Sequence, residues 1–127
     1  MRKTLLVGLA AVSMFLGAGV ASAAKPFTPA PHHGTSVTAA EWSYIRGLPG
    51  GVRIKGNLVV TQPGCFYVKM KHEFWLESPR SETQCGPGTI ALHAETASIW
   101  WYAHVSICRA NNDDCGPSVF IGNRVGS

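Results

Sequence analysis

The stretch "VRIKGNLVV", Val52–Val60, decides the fold class. Val52, Ile54, Leu58 and Val60 share one parity, and Arg53, Lys55 and Asn57 share the other. Successive side chains leave a strand on opposite sides, so this alternation marks a strand with one face in a core and one in water. The same period recurs downstream. In "CFYVKMKHEFWLE", Phe66, Val68, Met70, Phe74 and Leu76 alternate with Tyr67, Lys69, Lys71, Glu73, Trp75 and Glu77. In "TIALHAE", Ile90 and Leu92 oppose His93 and Glu95. "SIWWYAHVSI" puts Ile99, Trp101, Ala103, Val105 and Ile107 on one side, with Trp100, Tyr102 and His104 on the other. "SVFIGNRV" supplies a fifth short strand. Gly, Pro, Asn and Ser clusters bound these segments, and no ten-residue helical pattern lies between them. The expectation is an all-β domain, a small antiparallel sandwich of five or six strands with two disulfides.

Working back toward the N-terminus, Thr38-Ala39-Ala40-Glu41 matches a capping box. Trp42 and Ile45 then share a face at helical spacing, and Gly47 offers a stop. This predicts one short helix from about Ala39 to Arg46. Before it, "KPFTPAPHHGTS" carries three prolines in six positions, which predicts a flexible proline-rich leader over 24–36. His32 and His33 are adjacent there. Neighbours on an extended chain point apart, so no metal site and no cofactor are expected.

The first 23 residues read as a secretory signal. Arg2 and Lys3 precede an apolar run, which ends in Ala21-Ser22-Ala23, a small-x-small cleavage pattern. The mature domain, 37–127 after the leader, is then secreted, extracellular and free of membrane once the signal is cleaved. Without Arg2 and Lys3, nine basic residues face seven acids, and no basic cluster remains. Nucleic acid is therefore not an expected partner, since such binding rests on many phosphate contacts. The sequence does not specify an oligomeric state.

All four cysteines lie beyond the signal, and an even number in a small exported chain predicts disulfides. "CGPGTIAL" at Cys85 and "CGPSVFIG" at Cys115 echo each other, each after a polar loop that follows an earlier cysteine. The echo favours Cys65–Cys85 and Cys108–Cys115 over the crossed pairings.

Three functions follow as expectations. There is no G-x-S-x-G, no H-E-x-x-H and no phosphate-cradling loop, so an enzyme is not expected. A small hydrolase built on His93 or His104 is the least favoured reading. The leading expectation is non-catalytic binding of an extracellular carbohydrate or protein. Its site is an outer sheet face carrying Trp100, Tyr102, His104, Tyr67 and Trp75, because flat aromatics among polar groups suit sugar rings and protein anchors alike. The alternative is inhibition of an extracellular hydrolase. Pro79-Arg80-Ser81 would then present Arg80 from a disulfide-closed loop whose pre-ordering lowers the entropy cost of binding.

Overall fold

The computed structural model describes residues 24–46, 50–71, 79–96, 101–111 and 113–123. Their strands, in chain order, are β1 (Lys25–Pro26), β2 (Thr35–Tyr44), β3 (Val52–Val60), β4 (Cys65–Lys71), β5 (Gln84–Cys85), β6 (Gly88–Glu95), β7 (Tyr102–Arg109), β8 (Asp114–Cys115) and β9 (Val119–Gly122). The first sheet runs β1-β2-β3-β6, and the second runs β5-β4-β7 with β8 and β9 both paired to β7. All these pairings are antiparallel. The strands outnumber the five or six expected, because β1, β5 and β8 are two-residue pairings that no periodicity can announce.

Both sheets contribute to one core. Val52, Ile54, Leu58 and Val60 meet Phe66, Val68, Met70, Ala103, Val105 and Ile107 there. These are the apolar parities read from β3, β4 and β7, and Leu92 joins them from β6. Trp101 departs from that pattern. It lies just before β7 and is 38% exposed, so the alternation that buries Ala103 and Val105 begins only at Tyr102. Phe74, Leu76 and Ile99 lie outside the described residues.

The predicted helix is not formed. Residues 39–44 belong to β2, and the described residues contain no helix. A two-turn helix is marginal without tertiary support, and here the strand alternative has support. Val37 and Ala40 are buried, and Trp42 packs against the core. The would-be capping box is a bulge instead. Register shifts between Thr38 and Glu41, and Ala39 takes φ 52°. Opposite it, a Cβ on Gly56 would lie 3.0 Å from the Thr38 carbonyl oxygen and 3.2 Å from Ala40 Cα. Glycine in the middle of β3 is thus the space into which the bulge fits.

The stretch expected as a flexible leader is ordered onto the first sheet. Lys25 and Pro26 pair with Trp42 and Glu41, the Phe27 amide donates to the Ala40 carbonyl at 3.1 Å, and Pro29 is fully buried. Proline suits this place because an edge strand needs no donor on its open side. The chain then turns into β2 at His33-Gly34. His32 and Thr35 exchange two backbone hydrogen bonds of 2.9 Å across φ values of 48° and 71°. Positive φ at both central residues is the two-residue hairpin geometry of a type I′ turn. The histidines therefore do not diverge as they would on an extended chain; their ring centroids are 4.2 Å apart.

Both disulfides pair as expected, Cys65–Cys85 and Cys108–Cys115. Each joins directly opposed residues of an antiparallel pair, β4 with β5 and β7 with β8.

Candidate functional site

β4 and β7 are neighbours, so the expected outer face exists as a surface of one sheet. Its described aromatics are not open platforms. Tyr67 is fully buried. The Arg80 guanidinium lies 4.5 Å from its ring centroid, and its hydroxyl donates to Asp113 Oδ1. Burial, the bond to Asp113 and the Asp113 charge hold the Tyr67 phenol above its ordinary value, against the pull of Arg80. Tyr102 is 8% exposed, stacked on Phe120 at 5.6 Å and edge-on to His104 at 6.1 Å. The cover comes from segments whose contact with these rings is not encoded in strand parity. Trp100 and Trp75 lie outside the described residues.

The segment Pro79-Arg80-Ser81 does not project as an inhibitor loop would. The Met70 amide donates to the Pro79 carbonyl, and the Ser81 amide to the Val68 carbonyl, both at 2.9 Å. The Ser81 hydroxyl accepts the Val68 amide at 2.9 Å and is buried. These three bonds lay the segment along β4 as an added edge. Arg80 is itself exposed but lies over Tyr67.

The described concavity lies elsewhere, against the outer face of the first sheet. It has a volume of about 520 Å³, within the range of small-ligand sites. Glu41 and Ser43 of β2 line it with Arg53 and Lys55 of β3, which they oppose in register. The outward parity of "VRIKGNLVV" therefore supplies two of its cations. Tyr44, Ile45 and Arg46 close it where β2 ends, and the Ile45 amide donates to the Gly51 carbonyl at 2.9 Å to fix that corner. Three basic side chains against one acid give the lining a positive balance. Glu95 partly offsets it, because Arg53 Nε donates to Glu95 Oε2 at 3.3 Å.

Aromatic rings gather around Tyr44, which packs against the core. Trp42 meets Tyr44 edge-on at 5.1 Å, and Trp101 lies 5.8 Å from Tyr44. The Tyr44 hydroxyl is buried with no hydrogen-bond partner among the described residues. Such groups are rare in folded proteins. Trp101 is set in place by its backbone. The Asn123 amide donates to its carbonyl at 3.0 Å, and Gly122, at φ 88°, passes so close that a Cβ there would lie 2.2 Å from that oxygen.

Sequence reasoning missed both parts. Parity assigned Trp101 to the core, and Arg53 and Lys55 read as ordinary solvated positions. The available signal was the pairing of a Trp-Trp dipeptide with a downstream Ile-Gly-Asn turn, and it carries meaning only once β7 and β9 are known to be partners. No protein-family model matches the chain, and comparison with the curated proteins and with the solved structures gives no match.

Proposed function

We propose that the chain is a small exported, non-catalytic binding protein whose ligand is an acidic extracellular saccharide. The observation that carries this reading is a pocket lined by Arg46, Arg53 and Lys55 against one acid, Glu41, with an exposed tryptophan, Trp101, packed on the ring of Tyr44, another lining residue. Sugar rings place apolar C–H faces on an indole, while carboxylate or sulfate groups meet guanidinium and ammonium donors. Trp101 is the stacking platform. Arg46, Arg53 and Lys55 take the anionic groups. Export is supported by the signal-like first 23 residues and by the two disulfides, which persist in oxidising compartments. No described helix is long and apolar enough to cross a membrane.

A glycan array on the purified protein tests the reading, with uronate-bearing, sulfated and neutral oligosaccharides side by side. Binding confined to the acidic members, and lost in Trp101→Ala, is the expected result. Equal binding to neutral members, or binding unchanged in Trp101→Ala, contradicts it. The alternative, inhibition through the loop around Arg80, is less favoured because Pro79–Ser81 pairs with β4.

A further inference from the structure

His32, His33 and Asp114 form a second cluster, apart from the pocket. The type I′ turn places His33 in the left-handed region and so folds two adjacent imidazoles toward one side. β8 brings the third donor from 81 positions away. Asp114 precedes Cys115, whose disulfide to Cys108 fixes β8 on β7, and the Gly116 amide donates to the Ile107 carbonyl at 2.9 Å. The turn is anchored from its other side, where the Thr61 hydroxyl donates to the Gly34 carbonyl at 2.6 Å. Two rigid pieces of backbone therefore face each other across the three side chains.

The donor atoms converge. His33 Nε2 is 2.7 Å from Asp114 Oδ2. His32 Nε2 is 3.3 Å from Asp114 Oδ1 and 3.0 Å from the Asp114 backbone oxygen. One ligand atom from each of the three residues fits within a 4.8 Å span. A tetrahedral ion with bonds of about 2.0–2.1 Å sets its donors about 3.3 Å apart. His32 Nε2 already stands at that distance from Oδ1, whereas His33 Nε2 meets the other oxygen, Oδ2, so a shared ion requires the His33 ring and the carboxylate to readjust. His32 is oriented for the task. Its Cβ, Cγ and Nδ1 lie against Gly116, 3.0 Å from where a Cβ would stand, so Nε2 is the nitrogen turned to Asp114.

We propose that His32, His33 and Asp114 are a binding site for a divalent transition metal of the zinc class. Two imidazoles and one carboxylate are borderline ligands that suit zinc and copper, whereas calcium and magnesium want oxygen alone. Each imidazole ligates through Nε2 and carries its proton on Nδ1, so the metal replaces the histidine–aspartate hydrogen bonds with coordinate bonds. Access is open on one side. The His33 and Asp114 side chains are 41% and 37% exposed, while that of His32 is 15% exposed. Three protein donors leave at least one coordination position toward solvent for water or an outside ligand.

The test is calorimetric titration of zinc chloride into the untagged, chelator-stripped protein, with calcium and magnesium chloride as controls. Saturable one-to-one zinc binding is expected, weakened at least tenfold in His33→Ala and in Asp114→Asn and unchanged in His93→Ala, which alters an exposed histidine on β6. At free zinc one hundred times its Kd, the unfolding midpoint should rise by roughly 10 °C. Gly116→Ala is a second probe that keeps all three ligands, and its crowding of the His32 ring should weaken binding by a smaller factor. The proposal is overturned if zinc binding is absent, if calcium binds as well as zinc, or if His33→Ala and Asp114→Asn bind as the unaltered protein does. In the first case the cluster is a set of histidine–aspartate hydrogen bonds and no more.

Discussion

Trp101 and Tyr44 lie with their ring centroids 5.8 Å apart, joining the entry to β7 with the end of β2 across the two sheets. Tyr44 packs against the core and is also one of the residues that line the pocket. Trp101 is 38% exposed and lies at the edge of that core rather than in it. Its truncation should therefore separate binding from folding. In Trp101→Ala, saccharide affinity should fall at least about tenfold, while the domain stays folded and loses no more than about 2 kcal/mol of stability in urea. Loss of both together would make Trp101 a core residue.

Gly122 makes that arrangement sterically possible. Its φ of 88° is unfavourable for any side chain, and an added Cβ would collide with the Trp101 carbonyl oxygen and lie 2.8 Å from Tyr102 Cα. Both obstacles are backbone and cannot swing aside. Gly122→Ala should destabilise the domain by about 2 kcal/mol or more, read as a lowered denaturation midpoint with unchanged slope. It should also displace Trp101, so that saccharide binding suffers even under conditions where the variant is folded.

The Tyr67–Asp113 bond gives stability a pH dependence at both extremes. The bond to Tyr67, then Lys69 and Arg80, hold the Asp113 carboxyl below its ordinary value of 3.8. A depressed folded value means that this contribution is present above about pH 3.8 and fades as pH falls through the folded value. The Tyr67 phenol is raised above 10.0, chiefly by burial, so its contribution is present below pH 10.0 and fades as pH rises through the folded value. Tyr67→Phe should remove the alkaline loss and lower stability at neutral pH by about 1 kcal/mol. Thermal melts across the two windows check both signs.

The two disulfides should contribute unequally. With sequence separations of 20 and 7, the loops they close differ in length, and chain-entropy estimates are about 3 kcal/mol for Cys65–Cys85 and about 2.5 kcal/mol for Cys108–Cys115. Paired Cys→Ala variants measured in urea should keep that order. Removing Cys108–Cys115 should have a further effect that removing Cys65–Cys85 lacks, because Asp114 is held beside Cys115. Zinc affinity should drop in the former variant alone.

The strand parities of β3, β4 and β7 and both disulfide pairings were legible in the sequence, because each is a local pattern that burial or a turn enforces. What escaped it is non-local. The Thr38–Glu41 motif satisfies a helix cap and a bulge equally well, and only Gly56 on a neighbouring strand decides between them. His32 and His33 converge because His33 accepts a left-handed backbone, which a bare His-His-Gly does not announce. Tyr67 and Tyr102 had the right face, but their cover comes from Arg80, Asp113 and Phe120, which contact them through folding rather than sequence order. The pocket is the extreme case, since two of its cations come from β3 and the third, Arg46, from just beyond β2.

The most direct test of the binding account is a calorimetric titration of an oligouronate into the purified protein and into Lys55→Glu, at low and at high salt. The account predicts saturable binding that weakens at least several-fold in Lys55→Glu and weakens again as salt screens the pocket's cations. Affinity indifferent to both the charge reversal and the salt would contradict it.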